Sequence, residues 1–155
     1  IGSSLVGSEM CIRDRSKSTE KLANYIYEGC LKENSVETHM QLAAEADSST
    51  LLSSNGIIFG TPENFGYMSG ALKDFFDRTF YQVEHKNINI PYCTFVSAGN
   101  DGTGAVSSIE RIASGYPLIK VAEPLIISGK QVNSNKKRCI DFGHGMAAGL
   151  ALGIY

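Results

Sequence analysis

The sequence predicts an α/β protein, a three-layer sandwich in which helices cover both faces of a parallel β-sheet. Two local patterns carry this prediction. Residues 56–60, GIIFG, form an apolar run bounded by glycines, which is typical of a strand buried on both faces of a parallel sheet. The apolar residues Leu72, Phe75, Phe76 and Phe80 then recur at helical spacing. Strand and helix patterns keep alternating along the chain, which favours parallel strands joined by right-handed crossovers.

Length, charge and hydropathy narrow the class of protein. The chain has 155 residues, within the range of one domain, and its formal net charge is −2. Its lysines and arginines are scattered, so we expect no nucleic acid and no membrane surface as a partner. No apolar run approaches the ~20 residues that a membrane-spanning helix needs, and the N-terminus lacks a signal-peptide pattern. We therefore expect a soluble, cytoplasmic protein.

The cysteines indicate neither a metal centre nor a disulfide framework. They lie far apart, without a Cys-x-x-Cys pair or a histidine-rich neighbourhood, at Cys11, Cys30, Cys93 and Cys139. We expect no bound metal. Because the spacing indicates no disulfide bonds, we also expect the protein to occupy a reducing compartment.

The first half of the chain gives the weaker patterns. Residues 1–15 hold two small apolar patches and predict a poor central strand, with residues 10–12 at most a short edge strand. A Ser/Thr cluster at residues 16–20 marks a helix start, because a hydroxyl can accept from first-turn N–H groups. Residues 36–40 alternate as a strand near a sheet edge, and residues 43–52 predict a less regular helix.

The second half is more regular. Residues 92–97 form a β-rich run that follows Pro91, and a proline does least harm at the start of a strand. A further helix begins near residue 106. Residues 120–128 predict the final strand, and residues 136–152 predict the closing helix.

Two loops rich in glycine and polar residues follow neighbouring predicted strands. They are residues 61–68, TPENFGYM, and residues 98–104, AGNDGTG. In open α/β sheets, ligands bind outside the carboxyl ends of the strands. The Ser/Thr cluster at residues 16–20 could add an anion site at a helix N-terminus. The sequence therefore predicts a ligand crevice at one edge of the sheet.

The loops carry a family resemblance. Residues 60–78, GTPENFGYMSGALKDFFDR, resemble the signature of the NAD(P)H-dependent FMN reductase and quinone reductase branch of the flavodoxin-like superfamily. Residues 16–23 are similar to its phosphate loop, and residues 97–104 are similar to its third flavin loop. The resemblance implies a flavodoxin-like sheet of five strands in the order 2-1-3-4-5. Residues 16–155 would form one such domain.

The N-terminal segment also resembles something else. Residues 5–15, LVGSEMCIRDR, are similar to a translated sequencing-adapter string. We interpret residues 1–15 as a non-native segment. The sequence pattern expected for the first strand of the sheet is largely lost in it.

The resemblance implies a set of FMN contacts. The phosphate would be held by Ser16, Ser18 and Thr19. The isoalloxazine would be wrapped by Thr61, Pro62, Glu63, Asn64, Phe65 and Gly66. Its pyrimidine side would be bordered by Ser97, Gly99, Asn100 and Gly102. Phe65 would flank the ring, and no protein residue would be catalytic, because the chemistry takes place at flavin N5.

The implied activity is hydride transfer from NADH or NADPH through FMN to a quinone or a similar small-molecule electron acceptor. One alternative is a flavodoxin-type electron carrier without its own reductase activity. A net charge of −2 is small for the electrostatic steering that carriers use, which favours the enzyme. Another alternative is an interaction module that keeps the fold without the flavin.

Relatives in this branch are commonly homodimers or homotetramers, so the resemblance also implies a homodimer or homotetramer. Phe80, Tyr81 and Tyr116 predict an exposed aromatic set compatible with such contacts. Lys73, Asp77 and Arg78 match the signature but predict helix-surface charges and caps. The chain departs from the pattern at Lys17 and Ser18, where the family often has Gly-Asn.

Overall fold

The computed structural model describes the backbone of residues 2–7 and the whole of residues 17–155. Its sheet is parallel throughout, with strands in the order β2-β1-β3-β4-β5 and β6 also paired with β4. The strands are β1 (Gly2–Gly7), β2 (Glu37–Leu42), β3 (Ile57–Pro62), β4 (Pro91–Ala98), β5 (Ile119–Lys120) and β6 (Leu125–Ser128). The predicted fold class and the edge position of β2 are confirmed.

The first strand lies elsewhere than expected. Strand β1 occupies Gly2–Gly7 and pairs with both β2 and β3, so it is a central strand and the prediction of a poor central strand is wrong. Backbone N–H and C=O groups pair irrespective of apolar patterning, because each non-proline residue carries one donor and one acceptor. The expected edge strand at residues 10–12 lies outside the described residues.

The last predicted strand is divided. Residues 120–128 do not form one strand: β5 ends at Lys120 and β6 begins at Leu125. Pro124 directly precedes β6, and a proline cannot donate a ladder hydrogen bond. Both pieces pair with β4, so they share the fifth position in the sheet.

In the part of the chain that the structure describes, five α-helices cover the sheet. They are α1 (Ser18–Cys30), α2 (Ser48–Leu52), α3 (Gly70–Val83), α4 (Thr103–Gly115) and α5 (Lys136–Ala151), with short 3₁₀ turns at Gly129–Gln131 and Asn133–Asn135. Helix α2 is shorter than the predicted helix at residues 43–52. The Asp47 side chain accepts from the backbone N–H groups of Ser49 and Thr50, and this capping box starts the helix at Ser48. Among the described residues, no helix has the length and apolarity needed to cross a membrane.

Among the described residues, a large apolar cluster forms on each face of the sheet, and a smaller third cluster joins the end of β4 to α4. On one face Phe59 of β3 packs against Phe76 of α3, with ring centroids 5.1 Å apart, in a cluster that also includes residues of α2 and α4. On the other face Ile58 packs with residues of α1 and α5. Adjacent strand residues point to opposite faces, so β3 supplies both cores, as its apolar run predicted.

Tyr116 lies in the core. Its side chain is fully buried, so the prediction that it is exposed is wrong. Its hydroxyl contacts the Phe76 carbonyl oxygen and lies 2.8 Å from the Thr79 hydroxyl, and burial raises the pKa of Tyr116 to about 12. A buried tyrosine finds partners for its hydroxyl, which the local sequence could not reveal. Tyr81 is 79% exposed.

The charged residues of the signature are structural, as predicted. Arg78 donates to the Ala43 and Ala46 carbonyl oxygens at 3.0 and 3.1 Å, which fastens the segment after β2 to α3. Lys73 and Asp77 form an ion pair one helical turn apart. These side chains therefore serve helix α3 and its neighbour.

Candidate functional site

Two loops lie side by side at the carboxyl edge of the sheet. The β3–α3 loop comprises residues 63–69 and the β4–α4 loop comprises residues 99–102. They are neighbours because β3 and β4 pair in parallel, so both strands end at the same edge. The predicted juxtaposition of the two loops is present in the structure.

The β3–α3 loop is a tight hairpin. The Asn64 N–H donates to the Tyr67 carbonyl at 2.9 Å, and the Tyr67 N–H donates to the Asn64 carbonyl at 3.0 Å. Phe65 and Gly66 between them have φ angles of 53° and 69°, the left-handed pair that a type I′ turn requires. The turn places Phe65 at the tip, where its side chain is 94% exposed.

Hydrogen bonds fix the base of this hairpin. The Thr61 hydroxyl donates to the Pro62 carbonyl and accepts from the Ser69 N–H, both at 2.8 Å. The Ser69 hydroxyl in turn accepts from the Leu72 N–H and caps helix α3. The Met68 N–H donates to the Ser108 hydroxyl of α4. The loop is thus anchored to both helices that flank the edge.

The β3–α3 loop contacts the β4–α4 loop through Glu63 and contacts the first turn of α4 through a pair of glycines. The Glu63 carboxylate accepts from the N–H groups of Asn100 at 2.7 Å and Gly102 at 3.0 Å. A Cβ atom at Gly104 would lie 2.0 Å from the Gly66 carbonyl oxygen, so only glycine allows this approach. The loops therefore form one continuous wall.

The first turn of α1 lies at the same edge. Helix α1 begins at Ser18, and its N-cap residue is Lys17, whose side chain makes no capping hydrogen bond. Lys17 has a φ of 53°, in the left-handed region that favours glycine. A lysine thus stands at the N-cap position, where a hydroxyl residue was predicted, and Ser18 and Thr19 lie inside the first turn.

This turn meets the ends of two strands. The Ser18 hydroxyl donates to the Gly129 carbonyl at 3.1 Å. A Cβ atom at Gly129 would lie 3.3 Å from the Ser18 hydroxyl oxygen and 3.7 Å from that of Ser97. The starts of α1 and of the segment after β6 thus converge on the end of β4.

The predicted site residues differ in exposure. Buried are Ser18, Thr19, Thr61, Pro62, Ser97 and Gly102. Half-buried are Glu63 and Asn64. Exposed are Phe65, Gly66, Gly99 and Asn100. Ser16 lies outside the described residues. The structure gathers the described ones at a single edge of the sheet.

Sequence reasoning missed four residues that shape this edge. Ser69, Ser108, Gly104 and Gly129 act by supporting a loop or by allowing close approach. Ser69 was detectable in principle, because a serine just before an apolar helical pattern is a helix cap. The other three make contacts with residues distant in sequence, which no local pattern reveals.

The titratable groups near the edge serve the backbone. Asp101 accepts from the Thr103 N–H and hydroxyl, and these bonds lower the pKa of its carboxyl.

The cysteines of residues 17–155 are free and buried, and burial raises the pKa of Cys30 and of Cys139 to about 11. Within the described ranges, no group of three or more metal-binding side chains occurs.

The parallel sheet with the strand order β2-β1-β3-β4-β5 has the flavodoxin-like fold, and solved structures share it. A flavodoxin from the domain Archaea superimposes with a TM-score of 0.78 at 14% identity, covering 97% of this chain and 99% of that one. A WrbA-like flavodoxin from Agrobacterium tumefaciens gives 0.74 at 14%, covering 97% and 98%. The model of the NADPH-dependent FMN reductase family matches residues 19–129, and the chain belongs to this family.

Two curated relatives match parts of the chain. A flavodoxin of Aquifex aeolicus (strain VF5) is 29% identical over 100 residues, which cover 64% of this chain and 54% of that protein. An NAD(P)H dehydrogenase (quinone) of Acidithiobacillus ferrooxidans (strain ATCC 53993 / BNL-5-31) is 51% identical over 43 residues, 28% of this chain and 21% of that protein. The match thus spans about half of the first relative and about a fifth of the second.

Proposed function

We propose that the chain binds FMN at the carboxyl edge of the sheet and uses NADH or NADPH to reduce a quinone or a similar small-molecule acceptor through it. One observation carries the proposal: the β3–α3 and β4–α4 loops form a single wall, bridged by the Glu63 carboxylate. Membership of the NADPH-dependent FMN reductase family and the match to a quinone dehydrogenase support it.

The phosphate end of FMN fits the start of α1. A helix N-terminus offers backbone N–H groups and the positive end of the helix dipole, which favour an anion. Thr19 would add a hydroxyl group in the first turn, and Ser16 precedes it. Ser18 would add a second hydroxyl donor by turning it away from the Gly129 carbonyl. Lys17 is exposed beside them and adds a positive charge.

The ring end fits the loop wall. Phe65 is exposed at the hairpin tip and offers an aromatic face for the isoalloxazine. A Cβ atom at Gly99 would have only the Glu63 carbonyl oxygen near it, at 4.0 Å, so the backbone of the β4–α4 loop is open to a ligand. We assign Thr61 to loop support, because its hydroxyl is used within the loop.

FMN supplies the redox chemistry when it is bound, since its ring accepts a hydride and releases two electrons. The chain would bind the phosphate at α1, orient the ring against the β3–α3 loop and exclude water with Phe65. Backbone donors at the loops would stabilise negative charge on the ring. Reduction of a quinone takes up a proton together with the hydride, and water can supply this proton. No acidic side chain is then required, and Asp101 has a structural use, because its carboxylate accepts from the Thr103 N–H and hydroxyl.

A flavodoxin-type electron carrier is the second candidate. The 29% identity to a flavodoxin over 100 residues favours it, because that match is longer than the match to the quinone dehydrogenase. A carrier would hold FMN in the same crevice but would take electrons from a partner protein. We also propose a homodimer or homotetramer, and light scattering of the purified chain at several concentrations would contradict this if it showed a monomer throughout.

Anaerobic reduction separates the two candidates. The chain loaded with FMN should lose its visible flavin absorption on addition of NADH or NADPH, and a quinone should restore it. Free FMN at the same concentration is the control for direct reduction. A chain that binds FMN, stays oxidised with both nucleotides and bleaches only with dithionite would be a carrier.

A further inference from the structure

One side chain makes the contacts that join the two loops. Glu63, at the end of β3, donates its backbone N–H to the Ser97 carbonyl at 3.0 Å. Its two carboxylate oxygens accept from two different N–H groups, those of Asn100 and Gly102, 37 and 39 residues further along the chain. One residue therefore joins β3 to the end of β4 by one hydrogen bond and to the β4–α4 loop by two.

The geometry makes this bridge specific for a carboxylate. Hydrogen bonds to an ionised acceptor are shorter and stronger than neutral ones, and here each oxygen has its own donor. An amide side chain offers one oxygen, so it could satisfy one of the two N–H groups. The side chain of aspartate is one methylene group shorter than that of glutamate. Its carboxylate would therefore lie about one bond length further from the two N–H groups.

The loop also depends on this support for its shape. Gly102 has a φ of 76°, and a Cβ atom there would lie 2.6 Å from the Ile126 side chain of β6. The backbone is therefore pressed close to the sheet in a conformation that few residues adopt. The Glu63 carboxylate holds the N–H groups on both sides of Asp101 in place against β3.

The bridge changes the roles expected for two site residues. The family resemblance implies that Asn100 and Gly102 border the pyrimidine side of the ring as donors. A backbone N–H carries a single hydrogen, and both hydrogens point to Glu63. These residues would then shape the crevice without donating to the ring.

We propose that Glu63 is a positioning residue that holds the β4–α4 loop in its FMN-binding shape. The Asn100 and Gly102 N–H groups would contribute to FMN binding by donating to Glu63, which fixes the loop, and not by donating to the ring. The proposal rests on the proposed function, because it takes FMN as the ligand of the loop. The opposite effect would follow if the carboxylate only occupied donors that FMN needs: its removal would then strengthen FMN binding.

Glu63→Gln and Glu63→Ala test the proposal, with Glu45→Gln as the control for loss of one negative charge at an exposed position. The first readout is amide exchange of Asn100 and Gly102 by NMR in the cofactor-free chain. We expect exchange at least about tenfold faster in both Glu63 variants, because each variant weakens or removes a hydrogen bond to a charged acceptor, and no change in the control.

The second readout is FMN affinity. We expect the Kd of Glu63→Gln to rise about tenfold, with a larger rise for Glu63→Ala and none for Glu45→Gln. Unchanged amide exchange in both Glu63 variants would overturn the bridge. Faster exchange with equal or tighter FMN binding would overturn the positioning role. If the unsubstituted chain bound no FMN, the proposed function and this positioning role would both fail, whereas the exchange data would still decide whether the bridge forms.

Discussion

Gly143→Ala should lower the free energy of unfolding by about 2–3 kcal/mol, the upper range for an overpacked core. Helices α1 and α5 cross with their backbones in contact at this residue. A Cβ atom at Gly143 would lie 2.0 Å from the Ile26 carbonyl oxygen and 3.2 Å from the Cys30 backbone nitrogen. Backbone cannot rotate away as a flexible side chain can, so the two helices must separate. Gly29 faces α5 in the same way, because a Cβ atom there would lie 2.0 Å from the Ile140 carbonyl oxygen.

The matched control lies two residues further along the same helix. A Cβ atom at Gly145 would have no heavy atom of another segment within 4 Å. Alanine has the higher helix propensity, so Gly145→Ala should stabilise the fold by up to about 1 kcal/mol. Urea unfolding of both variants, followed by circular dichroism, measures the difference. Equal stabilities for the two variants would show that α1 and α5 do not cross at Gly143.

Gly104→Ala should raise the Kd for FMN at least about tenfold, equivalent to about 1.4 kcal/mol. The added methyl group would lie 2.0 Å from the Gly66 carbonyl oxygen and 2.8 Å from its carbonyl carbon. The hairpin tip must then move away from α4, and Phe65 moves with it. A ring held between the two loops loses contact when they separate, and small displacements in a binding site have large effects.

Gly115→Ala is the control at the far end of helix α4. A Cβ atom there would have no neighbour within 4 Å, so the substitution should leave FMN binding unchanged. Quenching of FMN fluorescence gives both dissociation constants, and circular dichroism checks that both variants are folded. Wild-type affinity in Gly104→Ala would mean that FMN does not need the close contact between the β3–α3 loop and α4.

Local signals predicted the centre of the fold well. The glycine-bounded run in β3 and the phenylalanine spacing of α3 each depend on residues within a few positions, and both elements appear within three residues of the expected bounds. The signature at residues 60–78 covers the same region. The family and the loop at the end of β3 could therefore be predicted together.

Contacts between distant residues could not be predicted. Strand β1 is central because its backbone pairs with β2 and β3, although its own sequence has no strong strand pattern. The bridge from Glu63 to Asn100 spans 37 residues, and nothing near Glu63 indicates it. The break after β5 depends on Pro124, which carried a local signal that the prediction of one continuous strand overlooked.

Hydrogen–deuterium exchange of the chain with and without FMN tests most directly whether the carboxyl edge of the sheet is the binding site. We expect protection at residues 61–69, at residues 97–104 and in the first turn of α1. Segments at the opposite edge, residues 31–36 and 84–90, should exchange equally in both samples. Protection at those segments instead, or no protection at either loop when FMN is saturating, would contradict the site.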